Sequence, residues 1–569
     1  MPEMSTRPGR GQSEDRRWVA LAALCVSLLM VSLDNTILNV ALPTIARSMN
    51  ATTSDLQWIV DSYIVVFAGL LLLVGSLGDR LGRKWVFMTG LVVFAAGSTA
   101  SAFCTTPTRL VAARAVMGLG GAAIMPSTLS LIRNIFTEPS ERARAIGIWS
   151  GTSGLSVALG PVVGGYLLAH FWWGSVFLVN VPIALAGLVA SAFVVPNSRN
   201  PESRRPDPLG GLLSTLGMAA LLWAIIEAPQ RAWTSTAVLA SLTGGIALLM
   251  GFVLWEQKCD HAMLQLVFFR SRRFSAAMGA MAMLMLALMG SLFLLTQYLQ
   301  FALGYTALEA GVRVAPIAGV ILVAAPLSAV IVHRMGTKPV VVSGLSLIAA
   351  GLFILSHTTV HGTYLDALPS FFLIGTGVGL SFAPSTEAVM GSLPTAEAGA
   401  GAATNGAALE TGGALGVGIF GSLLGTRYRD MLAPMLAPHH VPSAVLQLIE
   451  GSLGGALEVV KRIGGSLGAS LAIVAREAFV SGMDLALTVG GVLVTCGAVV
   501  VLILLPNRAP PAAKETGEAE RVGSRNTGGP PGTAAPLGTD GPGAKGPPGT
   551  AKPHAPPGAR AKVPHPGKG

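Results

Sequence analysis

The chain has 569 residues, of which 51% are apolar and only 12% charged, with a mean hydropathy of +0.63. A soluble chain carries about 25% charged residues, so this composition excludes an ordinary cytosolic enzyme and a disordered scaffold. The net charge of +10 does not indicate a nucleic-acid partner, because the charges stand in short clusters between apolar runs and nine Lys/Arg against four Asp/Glu fall in the last 63 residues.

The first long apolar run starts at Trp18; its roughly 25 residues exceed a signal h-region, and no A-x-A site follows. Since about 20 apolar residues cross a bilayer, the chain divides into fourteen spans. They lie near 18–43, 57–77, 85–104, 109–132, 145–169, 174–196, 208–228, 235–256, 274–298, 308–332, 339–357, 365–392, 400–426 and 479–505. The runs are continuous rather than alternating, so the class is an all-α polytopic membrane protein. Loops after even-numbered spans hold fifteen Lys/Arg, among them Arg80, Arg83, Lys84 and Arg133, against Arg47, Arg109 and Arg231 in the short loops of the other side. That asymmetry predicts both termini in the cytoplasm.

Ionisable groups within spans cost at least about 2.5–3.5 kcal/mol each at a helix centre, so each needs a reason. In span 1, Asp34 stands roughly 24 Å from Trp18, in the outer half. Asp61 lies one turn into span 2, also in the outer half. The loop after span 2 reads Gly75-Ser-Leu-Gly-Asp79-Arg80-Leu-Gly82-Arg83-Lys84. In span 4, Arg114 enters from outside to a depth similar to that of Asp34. Span 5 carries Gly160-Pro161-Val-Val-Gly164-Gly165. Span 9 bears Met278, Met281, Met283, Met285 and Met289, suited either to adaptable binding or to plain packing. Glu309 and Arg313, four apart in span 10, are expected to satisfy each other. Glu387 lies near the inner end of span 12 and Glu410 near the middle of span 13.

The outside connection 427–478 is expected to hold one or two amphipathic surface helices, with Leu467–Ala475 among their apolar stretches and a hinge at Gly464-Gly465. The Pro/Gly/Ala-rich tail cannot bury a core and is expected to be disordered. Scattered cysteines (Cys25, Cys104, Cys259, Cys496) and the adjacent His439-His440 give no metal site, and neither a cofactor nor an enzymatic activity is expected.

His333-Arg334-Met335-Gly336-Thr337-Lys338, after span 10, echoes the Gly75–Lys84 loop eight spans later. Two six-helix bundles with two helices inserted between them produce that offset. The expected organisation is a segment 1–17, a bundle 18–196, linker helices and loop 197–273, a bundle 274–505 and a tail 506–569.

With these motifs the chain resembles the major facilitator superfamily, and within it the fourteen-helix drug:proton antiporters of the QacA, SmvA and EmrB type, closest to the QacA-like branch. The likeness spans about residues 15–505. Leu33-Asp34-Asn35-Thr36-Ile37-Leu38-Asn39-Val40-Ala41-Leu42-Pro43 is similar to that family's first span, and Gly75–Lys84 looks like the superfamily's motif A. Arg109, Arg114, Gly118, Gly120 and Gly121 resemble motif B; Gly154 and Gly160–Gly165 resemble the antiporter motif C; Ser175–Pro182 resembles the start of a QacA-like sixth span.

The resemblance implies that Asp34 and Arg114 couple protons. A carboxylate facing an arginine holds its proton less tightly than one that loses that partner in a low-dielectric cavity, so alternation between the two would load and unload Asp34. A structural ion pair is the competing reading. By resemblance Asp61 and Glu410 bind cationic drug or couple it, although Asp61 could instead snorkel to water; Glu387 either lines the cavity or snorkels. Trp58, Trp149, Trp223 and Tyr298 offer cation–π faces or simple packing. Asp79, Arg80 and Arg83, with Gly75 and Gly82, are expected to form a charge network at the inner helix ends that latches the outward-open state and breaks as the bundles rock. Gly160, Pro161, Gly164 and Gly165 permit close contact and a bend, for gating or for packing alone. The expected function is proton-coupled efflux of lipophilic, cationic compounds by a monomer in the cytoplasmic membrane, with protons, such compounds and lipid as partners. The alternative is a dedicated exporter of one antibiotic or metabolite on the same fold.

Overall fold

The computed structural model describes residues 10–199, 206–259, 262, 264–393, 398–436 and 442–507. Among them stand seventeen α-helices and no strand. The first bundle comprises α1 (Arg10–Met49), α2 (Thr53–Leu81), α3 (Arg83–Ala102), α4 (Pro107–Ile135), α5 (Pro139–His170), the single turn α6 (Ser175–Leu178) and α7 (Asn180–Val194). Next come α8 (Pro208–Arg231) and α9 (Thr236–Lys258). The second bundle holds α10 (Arg272–Gln297), α11 (Ala307–Met335), α12 (Thr337–Ser356), α13 (Tyr364–Met390), α14 (Ala398–Leu436) and α17 (Gly465–Leu504), with α15 (Ser443–Gly451) and α16 (Leu453–Ile463) before the last. Thirteen described spans are long and apolar enough to cross a bilayer, α6 with α7 counting as one. The 32-residue α5, packed along α1, makes the fourteenth. The molecule is a multi-pass membrane protein.

Continuous helices are what a bilayer demands, since each satisfies its own backbone. Their starts are written locally. Thr52 and Asp55 form a reciprocal cap at α2, with Thr52 N donating to Asp55 Oδ2 at 2.8 Å, and Thr306 with Glu309 does the same at α11. Proline opens α4, α5 and α8, where its missing N–H is harmless.

The repeat is visible at matched loops. Gly82, between α2 and α3, has φ +122°, and Gly336, between α11 and α12, has φ +90°, a region that favours glycine. Each lies against an asparagine that closes its own bundle: Asn197 after α7 and Asn507 after α17. The inserted α8 packs on both α2 and α14, while α9 packs on α8.

Between the bundles, α2 packs on α14 and α5 on α11. Joining hydrogen bonds lie at the ends that carry the α1–α2 turn: Gln57 Nε2 to the carbonyls of Val417 (3.2 Å) and Gly418 (2.9 Å), Gln300 Nε2 to Val40 (2.9 Å), Thr53 Oγ1 to Gly451 (3.0 Å) and Ser452 Oγ to Ala51 (3.1 Å). At the same ends, Leu308 and Gly311 of α11 meet Gly165 and Pro161 of α5. This seal stands opposite the Lys/Arg-rich end.

Two expectations need correction. The segment Leu467–Ala475 is no surface helix but the first turns of α17, one helix that runs on through Arg476-Glu477 into span 14. The Gly464-Gly465 hinge is present, both residues at φ +61°, and α15 and α16 precede it. Glu309 and Arg313 do not pair. Glu309 is taken up by the helix cap, and the Arg313 guanidinium lies 3.9 Å from the centre of the Tyr305 ring. Residues 508–569 of the tail and His439-His440 lie outside the described residues.

Candidate functional site

Asp34 and Arg114, set at similar depth by their positions along two helices, meet. Both are buried, at 2% and 0% exposure, and Arg114 Nη1 donates to Asp34 Oδ2. The other carboxylate oxygen, Oδ1, accepts from Asn180 Nδ2 at 2.7 Å. Asn180 stands at the break between α6 and α7 and also donates to Ser98 Oγ at 3.1 Å, which in turn donates to the Phe177 carbonyl. Arg114 Nε donates to the Ile59 carbonyl of α2 at 3.1 Å, and the guanidinium lies 4.5 Å from the centre of the Tyr63 ring. Tyr63 stacks on Phe67 and meets Phe94 edge-on. Gly121 leaves room for its hydroxyl: a Cβ there would stand 2.8 Å from Tyr63 Oη. One buried charge pair is thus held by α1, α2, α3, α4 and α7. Removing one partner of such a pair costs about 3–5 kcal/mol, since the other charge is left uncompensated.

Asp61 occupies the same turn of α2 as Ile59 and Tyr63. It is fully buried, and neither carboxylate oxygen has a hydrogen-bond partner. Its Oδ2 lies against Gly418 of α14, where a Cβ would be 3.7 Å away. Burial overturns the snorkelling reading: packing of α2 on α14 and α8 closes this depth to water. Glu410 is half-buried on α14, about 12 Å along the helix from Gly418, and shares electrostatic range of Tyr63 with Asp34 and Arg114. Glu387 is exposed on α13.

The glycine motif of α5 faces both bundles. Gly160 and Gly164 press on Thr36 and Ile37 of α1, Pro161 on Gly311 of α11 and Gly165 on Leu308 of α11. At the basic end, Arg83 Nε donates to Asp79 Oδ1 at 2.7 Å, Arg83 N donates to the Ser198 carbonyl at 2.9 Å, and Gly75 lies beside Pro126 of α4. Arg80 is half-buried beside this pair.

Three of the aromatic candidates have partners within the chain. Tyr298 Oη donates to the Thr359 carbonyl at 2.9 Å, Trp149 Nε1 to Thr128 Oγ1 at 3.0 Å, and Trp223 lies beneath Arg231. Met278 and Met281 are buried, while Met283 and Met289 pack on Gly497 and Gly413. Sequence reasoning passed over Asn180, Ser98, Tyr63 and Gln57 as functional residues. An uncharged polar group inside an apolar run was the available signal for Asn180, Ser98 and Tyr63, whereas Gln57 opens span 2 after a polar stretch.

The model of the Major Facilitator Superfamily matches residues 24–417. The chain is 36% identical over 496 residues to the multidrug efflux pump LfrA of Mycolicibacterium smegmatis, covering 87% of this chain and 97% of that one. It is 32% identical to the tetracenomycin C resistance and export protein of Streptomyces glaucescens (86% and 91%) and to the methyl viologen resistance protein SmvA of Salmonella typhimurium (84% and 96%). In fold it is similar to the inward-facing crystal structure of a bacterial homologue of the human lysosomal transporter Spinster, with a TM-score of 0.61 at 16% identity over 87% of this chain and 99% of that one.

Proposed function

The chain belongs to the major facilitator superfamily, and from that premise we propose that it is a proton-coupled exporter of lipophilic, cationic drugs, not an enzyme, acting as a monomer in the cytoplasmic membrane with both termini inside. The buried Asp34–Arg114 pair carries this reading. An ionisable pair inside a membrane bundle is expensive and is kept where protons or ions move. Asp34 takes a proton when its access is from outside and gives it up inside. Asp61 and Glu410, one at the contact between the bundles and one deeper on α14, hold the cationic cargo. Gly160–Gly165 and Leu308–Gly311 form the outer seal that parts as the bundles rock, and Asp79 with Arg83 steadies the inner end.

Exchange of one proton for one monovalent cation moves no net charge and draws on the pH gradient, about 1.4 kcal/mol per unit. A second proton would add the membrane voltage, about 2.3 kcal/mol per charge at 100 mV. The multidrug efflux relative LfrA supports a broad range and the methyl viologen resistance relative SmvA a cationic one; the tetracenomycin export relative supports the narrower reading, a single antibiotic. Ethidium efflux from loaded cells tests the proposal. Efflux by the natural protein should stop on adding an uncoupler and be absent in Asp34→Asn; efflux that persists in Asp34→Asn would refute the coupling role.

A further inference from the structure

A small cavity lies between the bundles, and none of the acidic groups named above lines it. Its wall is made by Thr36, Asn39 and Val40 of α1, Pro161 of α5, and residues of α10 and α11 including Thr296 and Ile317. Most of that wall is aliphatic, and none of it is charged. The polar groups share one property. Asn39 is 4% exposed; its amide nitrogen turns back to donate to the Asn35 carbonyl at 3.0 Å, and its Oδ1 is buried without a partner. The Thr36 hydroxyl donates to the Leu33 carbonyl at 3.0 Å and the Thr296 hydroxyl to the Leu292 carbonyl at 3.1 Å. Their hydrogens are spent on backbone, so these oxygens keep unused lone pairs within an apolar surround.

Leaving a buried carbonyl oxygen unpaired is costly, about 1–3 kcal/mol, unless something in the working cycle satisfies it. A carboxylate site attracts any organic cation. An acceptor in an apolar wall is more selective, because it rewards only a cation that still carries an N–H. We propose that this cavity is a substrate subsite for the N–H of a protonated lipophilic amine, with Asn39 Oδ1 as the acceptor and the Thr36 and Thr296 oxygens beside it. This inference rests on the export reading and sharpens its substrate class. The gap is narrow while α5 packs on α11, so a drug-sized molecule reaches Asn39 as the bundles part.

The test is binding to the purified full-length protein, followed by fluorescence, of two matched probes. One is an acridine carrying a dimethylammoniopropyl chain; the other is its trimethylammoniopropyl counterpart, which lacks the N–H. Asn39→Leu should weaken the first probe about tenfold, the worth of one hydrogen bond to a charged donor, and leave the second within about twofold. Thr296→Val, which keeps the side-chain shape, should weaken the first probe by two- to threefold and spare the second; it carries the test should Asn39→Leu fail to fold. Equal losses for both probes, no change for either, or no binding of either to the natural protein would overturn the subsite. Binding as expected in a protein without uncoupler-sensitive ethidium efflux would instead overturn the export reading.

Discussion

Asn180 and Asp34 are joined at 2.7 Å across two helices, the amide nitrogen donating to one carboxylate oxygen while Arg114 holds the other. The amide oxygen of Asn180 is buried and has no partner. A primary amide can serve both protonation states of a carboxyl: its nitrogen donates to the charged form, and, after a flip, its oxygen accepts from the acid. On the proposed proton cycle, Asn180 would keep Asp34 in position in both states.

Replacing Asn180 by Leu should slow ethidium efflux about tenfold while the protein remains in the membrane at normal abundance. A hydrogen bond within a membrane bundle is worth roughly 0.6–1.7 kcal/mol, so melting of the purified variant should fall by only a few degrees. An unchanged efflux rate would remove Asn180 from the site.

Tyr63 seats the Arg114 guanidinium on its ring face, whereas its hydroxyl has no partner. Tyr63→Phe should therefore keep efflux within about twofold of the natural protein. Tyr63→Leu removes an attraction worth about 2 kcal/mol when desolvated and should cut efflux more than tenfold. Equal losses in both variants, measured on the same vesicle preparation, would argue for a role of the hydroxyl instead.

The seal between the bundles can be locked. A Cβ at Gly421 would stand 2.9 Å from Cγ of Gln57, so the double variant Gln57→Cys, Gly421→Cys brings two thiols within reach. Oxidation should stop efflux and reduction restore it, with the cross-link followed by gel mobility. A cross-linked protein that transports at full rate would show that α2 and α14 need not part here.

Most of the fold was legible because span length and loop charge follow from the bilayer itself. The matched loops at Gly82 and Gly336 revealed the repeat, and Pro196-Asn197 and Pro506-Asn507 would have strengthened it. Both asparagines pack against those glycines, yet a lone Pro-Asn reads as a turn. The pairing of Asp34 with Arg114 followed from depth along two helices. The burial of Asp61 did not, since distance from a helix end cannot say which neighbours cover a face. Asn180 was hidden for a related reason: its role depends on the break between α6 and α7, which an unbroken apolar run does not announce. Glu309 shows the opposite error, where the spacing to Arg313 suggested a pair but the cap at Thr306 claimed the carboxylate first.

The most direct test is ethidium accumulation in proteoliposomes containing the purified protein, driven only by an imposed pH gradient, acid inside. The natural protein should concentrate ethidium until nigericin collapses the gradient, and Asp34→Asn should take up no more than protein-free liposomes. Gradient-driven accumulation by Asp34→Asn at the natural rate would contradict the account.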